Sequence, residues 1–282
     1  MALWSLEFEH NLTMAAFPRL WWRGGVGFLW SPAMRELLLN IGNSTLLGGL
    51  VDFGQLRSRF RVPVCEVATK TGLQRMLKAK VRGKIDRVAL CSVVPELTAP
   101  VCAGVNLALG VEPLVLRAES AHGLTIGYKR PRELGADRVA AALGAHSTYP
   151  GRDLIVVDFG TATTVTAVTA GGEVAGGAIL PGYGLWAEML ATRTAQLPRV
   201  NGTAPLHALG RTTREGIAAG LHFGHAGAVR ELVERISREV YGPKQPLVLA
   251  TGGNAARFER ENVFAEHVPD LILLGLHAFA YA

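Results

Sequence analysis

A strand–turn–strand pattern that occurs twice constrains the fold of this chain more than any other feature. The sequence reads Leu-Leu-Leu-Asn-Ile-Gly-Asn-Ser-Thr at 37–45 and Ile-Val-Val-Asp-Phe-Gly-Thr-Ala-Thr at 155–163. A second apolar run follows each copy, at 46–51 and at 165–168. Apolar strands joined by a tight glycine-containing turn are typical of β-hairpins. A single Asp-x-Gly turn carries little information, but two copies separated by a domain's length of chain predict two related halves.

The segments around the hairpins predict an α/β organisation for both halves. Predicted strands lie at 88–95, 113–116, 174–180 and 247–250. Predicted helices lie at 98–109, 214–240 and 271–278, and in the second of them apolar residues recur near a 3.6-residue period. We place the first domain at 34–150 and the second at 151–282. The chain has neither a phosphate-binding G-x-x-x-x-G-K-S/T motif nor a convincing dinucleotide fingerprint, which excludes P-loop and Rossmann enzymes.

The first 33 residues differ in character from the rest of the chain. They hold four of the five tryptophans and show no clean helical or strand period. Glu7, Glu9 and His10 fall where a secretory signal would have its apolar centre, so a signal peptide is not predicted. Two interpretations remain open: a disordered extension, or a mis-assigned start with translation beginning at Met34. The segment is left out of the fold argument in either case.

Composition narrows the class of protein further. The chain has 282 residues, of which 49% are hydrophobic, enough for a sizeable core. It contains no apolar run of the roughly 18–20 residues that a membrane helix needs. Its three cysteines, too few and too scattered for a disulfide framework, suit a reducing cytoplasm. A net charge of +6 weakly favours a phosphorylated ligand, and the absence of a basic run interleaved with aromatics argues against nucleic acid.

Seven motifs, spread over nearly the whole chain after residue 33, carry a family resemblance. They are N-I-G-N-S at 40–44, S-V-V-P at 92–95, Y-K-R-P-R-E-L-G-A-D-R at 128–138, D-F-G-T-A-T-T at 158–164, G-G-A-I-L-P-G at 176–182, G-R-T-T-R-E-G-I-A-A-G at 210–220 and T-G-G at 251–253. The paired hairpins resemble the acetate/sugar kinase–Hsp70–actin superfamily, in which ATP binds in the cleft between two ribonuclease-H-like domains. The Y-x-x-P…G-A-D-R element is the most specific, and with it the chain resembles type III pantothenate kinase.

The resemblance implies ATP-dependent phosphorylation of pantothenate to 4′-phosphopantothenate, the first step of coenzyme A synthesis, by a cytoplasmic homodimer. Asp137 matches the general base, although its residue type and position equally suit a helix N-cap. Arg138 matches the residue that holds the pantothenate carboxylate, for which a forked guanidinium is well shaped. The remaining positions that match substrate contacts are Tyr128, Gly135, Ala136 and Thr213.

On the nucleotide side, the resemblance implies ATP with Mg²⁺ and a monovalent cation, K⁺ or NH₄⁺. Asp158 matches the monovalent-cation ligand. The positions that match ATP contacts are Asn40, Gly42, Asn43, Ser44 and Thr161. Gly252 and Gly253 either lie near the nucleotide or serve only as a turn.

Asn40 is the main departure, because the family usually has aspartate there. The amide keeps the hydrogen-bonding shape but loses the charge that would orient hydrated magnesium. This predicts a kinase that is slower or needs a higher magnesium concentration. Two alternatives therefore stay open: a non-catalytic regulatory relative that binds nucleotide, and another kinase or phosphatase acting on a sugar or polyphosphate. His222 and His225 could form a metal pair, but no third ligand is evident and both are interpreted as ordinary helix histidines.

Overall fold

A computed structural model describes residues 34–120, 122–200 and 204–282, so both interpretations of residues 1–33 lie outside the described residues. The strands are β1 (Arg35–Ile41), β2 (Thr45–Asp52), β3 (Gln55–Pro63), β4 (Arg87–Ser92), β5 (Leu114–Val115), β6 (Thr125–Ile126), β7 (Leu154–Phe159), β8 (Ala162–Val168), β9 (Glu173–Pro181), β10 (Leu247–Thr251) and β11 (Glu266–His267). The α-helices are α1 (Val64–Val67), α2 (Lys70–Lys80), α3 (Pro95–Leu109), α4 (Ala136–Thr148), α5 (Tyr183–Arg193), α6 (Thr213–Ala219), α7 (His225–Tyr241) and α8 (Leu271–Phe279). Short 3₁₀ helices lie at Pro131–Glu133 and Ala255–Glu261.

The two sheets share one strand order, which confirms the predicted duplication. The first sheet runs β3-β2-β1-β4-β5, with β1, β2 and β3 antiparallel and with β4 and β5 parallel to β1. The second sheet repeats this order as β9-β8-β7-β10-β11 and adds β6 beside β9. Three antiparallel strands followed by two parallel ones form the ribonuclease-H-like arrangement. The α/β fold expected from the resemblance is therefore confirmed, while the boundary at residue 150 stays a prediction.

Helices α4 and α8 pack against each other closely enough to exclude side chains at their crossing. A β-carbon at Gly144 or at Gly275 would overlap the backbone of the opposite helix. The apolar cluster around these helices takes Leu38 from β1 and Val156 from β7, so one core joins the two sheets. Helix α4 contributes to this shared core, and the two strongest candidate substrate residues, Asp137 and Arg138, lie in its first turn.

Some predicted elements differ from the structure in detail. The predicted helix at 214–240 is divided by a π-helical turn, Gly220–Gly224, between α6 and α7. Strand β3 and helices α2 and α5 were not predicted. No helix in the described ranges is both long and apolar enough to cross a membrane.

Candidate functional site

The turns of the two hairpins meet, although 117 residues separate them in the sequence. The hydroxyl oxygens of Ser44 and Thr161 lie 3.2 Å apart, and both side chains are exposed. In the first turn, the Gly42 N–H donates to the Thr45 carbonyl at 3.0 Å, leaving the exposed Asn43 and Ser44 at the tip. Exposed hydroxyls and turn amides are groups that bind phosphate oxygens. The structure therefore brings together the two loops expected to hold ATP.

The T-G-G segment lies directly against Asp158. Strands β7 and β10 run parallel, and Thr251 is the register partner of Asp158. Gly252 has φ +90°, and a β-carbon there would overlap Asp158 Oδ1 and lie 2.7 Å from the backbone N of Phe159. Only glycine combines this backbone angle with so close an approach. The glycine thus allows the β10 turn to close over the Asp158 carboxylate.

Asp158 is a carboxylate in an unfavourable environment for its charge. Its Oδ1 atom is buried and has no hydrogen-bond partner among the described residues. Burial, and next the charge of Asp137, raise the pKa of Asp158 to about 7, whereas the charge of Arg61 lowers it. A buried, unpaired carboxylate oxygen is costly unless a cation compensates it. The residues present therefore fit the monovalent cation that the resemblance implies at this position.

Asp137 is the second residue of α4, and the helix N-cap is Gly135. The interpretation of Asp137 as the N-cap was therefore wrong by two residues. Its Oδ1 atom accepts a hydrogen bond of 2.7 Å from the backbone N–H of Arg138. Burial raises the pKa of Asp137, opposed by that hydrogen bond and by the Arg138 charge. A carboxylate held near a helix N-terminus with a raised pKa has the properties of a general base.

Arg138 and Tyr128 lie side by side, as two substrate-binding residues would. Arg138 is only 8% exposed, and its Nε donates to Thr166 Oγ1 at 3.1 Å. Its guanidinium carbon lies 5.7 Å from the centre of the Tyr128 ring. A β-carbon at Gly177 would stand 2.8 Å from the guanidinium, so this glycine leaves room for it. The orientation of Arg138 is thus fixed by β8, while some of its five N–H groups remain for a ligand.

Thr213 is not joined to this cluster by any hydrogen bond in the described part of the chain. It is the exposed first residue of α6, and the N-cap is Thr212, whose hydroxyl accepts from the Glu215 N–H at 3.2 Å. The Glu215 carboxylate in turn accepts from the Arg211 N–H at 2.7 Å, a reciprocal capping arrangement. Its role as a substrate contact stays a prediction.

Asn40 is buried at the end of β1, opposite Cys91 of β4 in the parallel register. The Cys91 thiol donates to Asn40 Oδ1 at 3.3 Å. Burial, and next the charge of Asp137, raise the pKa of that thiol, so it stays protonated and remains a donor. The side chain at this position is therefore near the Asp137 carboxylate, and the neutral amide adds no further negative charge to the cleft.

His222 and His225 are both buried and have partners other than each other. His222 Nε2 lies 2.9 Å from Glu261 Oε1, and His225 Nε2 lies 3.0 Å from Thr163 Oγ1. Both rings stack on Phe258. Burial, with the His222 charge second, lowers the pKa of His225 to about 4, so this ring is neutral at neutral pH. Both histidines are packed as structural members of the second domain's core, and the described ranges hold no group of three metal-ligating side chains.

Sequence reasoning missed Arg61, which lies on the unpredicted strand β3. Its guanidinium would be 3.7 Å from a β-carbon at Gly253, and its charge acts on Asp158. The alternation in Arg-Phe-Arg-Val at 59–62, with Phe60 and Val62 buried, is the pattern that could have revealed the strand.

The family model and the similar proteins that match this chain share one description. The family model described as type III pantothenate kinase matches residues 36–235. A type III pantothenate kinase from Legionella pneumophila (strain Paris) is 38% identical over 250 residues, covering 86% of this chain and 97% of that protein. Type III pantothenate kinase 1 from Francisella tularensis subsp. holarctica (strain OSU18) is 41% identical, covering 84% of this chain and 95% of that protein.

One solved structure supports the fold independently. A Campylobacter jejuni protein, described as a conserved putative Baf family transcriptional activator, superposes with a TM-score of 0.57. It is 18% identical, and the match covers 85% of this chain and 94% of that one. At this identity the likeness concerns the fold alone.

Proposed function

The chain belongs to the type III pantothenate kinase family, so its reaction is the ATP-dependent phosphorylation of pantothenate at the start of coenzyme A synthesis, and we propose that Asp137 is the general base of that transfer. Phosphoryl transfer needs the acceptor hydroxyl placed in line with the γ-phosphate and its proton accepted as the new bond forms. The raised pKa of Asp137 makes this carboxylate a better proton acceptor than an ordinary aspartate.

Pantothenate binds, in this proposal, with its carboxylate on Arg138. The guanidinium is already oriented by Thr166 and stacked beside Tyr128, so little side-chain freedom is lost when the substrate arrives. The half-buried Gly135 and the buried Ala136 complete the wall of the site at the start of α4.

ATP binds, in this proposal, with its phosphates between the two hairpin turns. Ser44 and Thr161 offer hydroxyls, and Gly42 and Asn43 shape the first turn around them. Mg²⁺ enters with the nucleotide, near Asn40. A K⁺ or NH₄⁺ ion beside Asp158 would neutralise part of the polyphosphate charge when bound, and the unpartnered Oδ1 atom of Asp158 supports this assignment.

The observation that carries the proposal is the contact between the two hairpin turns, one from each half of the chain. The Ser44–Thr161 contact joins the two phosphate turns, and the charge of Asp137 acts on Asp158 beside them. The candidate base and the candidate phosphate loops thus lie within electrostatic reach of each other. No observation favours the non-catalytic alternative.

The test measures ADP release with ATP, Mg²⁺ and K⁺, with and without pantothenate, for the wild-type chain and Asp137→Asn. We expect pantothenate-dependent release from the wild type and a loss of turnover of roughly 10²–10⁴ in the variant. Glu133→Gln is the matched control, because Glu133 is an exposed carboxylate four residues upstream, ion-paired with Arg130. Turnover of Asp137→Asn within a few-fold of wild type would show that Asp137 is not the base.

A cytoplasmic homodimer is a further part of the proposal. The three free cysteines suit a reducing compartment. Large apolar side chains on β9 and α5 are exposed, with Ile179 at 65% and Met189 at 54%, which is typical of a surface that another subunit covers. Light scattering should give the molar mass of a dimer for the wild type and a larger monomer fraction for Met189→Glu. A monomeric wild type at micromolar concentration would contradict this.

A further inference from the structure

We propose that Arg61 is an additional catalytic residue, whose guanidinium binds the terminal phosphates of ATP in the cleft between the two sheets. The inference rests on the proposed function for its ligand, but the position and charge of Arg61 are observed independently of the base and of the pantothenate site.

Strand β3 points Arg61 away from the core of the first domain. Phe60 and Val62 are buried on the side facing the apolar core, so the residues that alternate with them, Arg59 and Arg61, face the opposite side. Arg59 binds Asp270 at 2.6 Å, at the N-cap of α8. Arg61 is thus one of two neighbouring cations on this face, and the one whose charge is not taken by that aspartate.

The position of Arg61 is related to one candidate phosphate turn in each half of the molecule. In the second domain, its Nη1 atom would lie 3.7 Å from a β-carbon at Gly253, in the turn that follows β10. In the first domain, the end of β3 is tied to the first hairpin turn, because the Val64 N–H donates to the Ser44 carbonyl at 3.0 Å. Arg61 thus lies on a strand whose end is bonded to the first hairpin turn, and its guanidinium lies beside the turn that follows β10.

The charge of Arg61 is available to a ligand. Within the described ranges it forms no salt bridge or hydrogen bond, although its charge acts on the Asp158 carboxylate. The first hairpin turn contributes only uncharged side chains, Asn40, Asn43 and Ser44, and the chain has no P-loop lysine. Phosphoryl transfer depends on positive charge over the phosphates. An arginine at this place supplies the positive charge that the first hairpin turn lacks. The guanidinium fork also matches two phosphate oxygens at once.

A purely structural role would give a different result. If Arg61 only kept Asp158 ionised, its removal would raise the pKa of Asp158 and weaken binding of the monovalent cation, so ATP affinity would fall only through the lost cation and would recover at saturating K⁺. Comparison of ATP with AMP binding at saturating K⁺ therefore separates the two roles, because only ATP extends its β- and γ-phosphates into the region of the hairpin turns.

The experiment compares Arg61→Gln, Arg61→Lys and Arg57→Gln with the wild-type chain. Calorimetry measures ATP and AMP binding, and steady-state assays measure kcat, KM for pantothenate and the K⁺ concentration for half-maximal rate. Arg57→Gln is the matched control, because Arg57 is an exposed arginine on the same strand and its substitution removes the same charge.

We expect Arg61→Gln to weaken ATP binding roughly 10–100-fold, the size of a lost charge-assisted hydrogen bond, with AMP binding and KM for pantothenate unchanged. We expect kcat of Arg61→Gln to fall by roughly 10²–10³. Arg61→Lys should recover part of this rate, because lysine keeps the positive charge but lacks the forked guanidinium. Wild-type ATP binding by Arg61→Gln, or a change in K⁺ dependence alone, would overturn the proposal. The binding comparison gives its answer even if the wild-type chain shows no pantothenate-dependent turnover, which separates failure of this inference from failure of the proposed base.

Discussion

Replacement of Gly252 by alanine should disturb the site through a single added carbon. The backbone angle of Gly252, φ +90°, lies in the region that residues with a β-carbon rarely adopt. The new carbon would also overlap Asp158 Oδ1 and lie 2.7 Å from the backbone N and carbonyl C of Phe159, neither of which can rotate away. The alanine can be accommodated only if the β10 turn moves away from β7, taking the Asp158 carboxylate out of its present position.

The magnitude follows from these two contributions. A non-glycine residue at positive φ costs about 1–2 kcal/mol. Forcing an extra carbon into a closely packed site costs typically about 1–3 kcal/mol more. We therefore expect Gly252→Ala to lower the free energy of unfolding by about 2–5 kcal/mol, a large part of the stability of an ordinary domain.

The adjacent glycine provides the control. A β-carbon at Gly253 would meet only the Arg61 guanidinium, at 3.7 Å, which is an ordinary van der Waals contact. Gly253→Ala should stay within about 0.5 kcal/mol of the wild type. Urea unfolding measures the stability of both variants, with and without K⁺, and ADP release measures their K⁺ dependence.

We expect Gly252→Ala to lose stability, to lose any stabilisation by K⁺ and to need more K⁺ for turnover, whereas Gly253→Ala keeps all three properties. The reasoning is refuted if Gly252→Ala unfolds within 0.5 kcal/mol of the wild type and has the same half-saturating K⁺ concentration. It is equally refuted if the two alanine variants are equally damaged.

Three further predictions follow from the same site. Asn40→Asp should raise turnover or lower the Mg²⁺ requirement, by as much as about 10–100-fold, in a Mg²⁺ titration of the rate; no gain in either would show that this position is not a weakened metal site. Because Asp137 must be ionised to accept a proton and its pKa is raised, kcat/KM should fall as pH drops through a value above the ordinary 3.8. A pH–rate profile that stays flat down to pH 4 would contradict this assignment. Thr166→Val removes the acceptor for Arg138 Nε in a buried site and should raise KM for pantothenate roughly tenfold, with Thr166→Ser as the control that keeps the hydroxyl. Equal KM values for these two variants would mean that Thr166 does not orient Arg138.

Much of the architecture could be predicted from local patterns. The hairpins at β1–β2 and β7–β8 were predicted because short apolar runs and a glycine turn are properties of a few consecutive residues. Strand β3 escaped prediction because its alternation of apolar and charged residues covers only 59–62, and with it Arg61 was overlooked. The N-cap of α4 was assigned to Asp137 instead of Gly135. Gly135 and Asp137 both suit a helix start, and residue type does not decide which one is the cap.

The sequence by itself determined the duplicated fold and the family, and it nominated the candidate site residues, because apolar runs, turn glycines and motif spacing are written along the chain. Only the tertiary structure decided which of those residues lie close together and how deeply each is buried. It joined Ser44 to Thr161, placed Gly252 against Asp158 and left the buried Oδ1 atom of Asp158 without a partner. The physical reason is that desolvation and Coulomb interactions depend on distance in space and on burial, which consecutive residues do not specify.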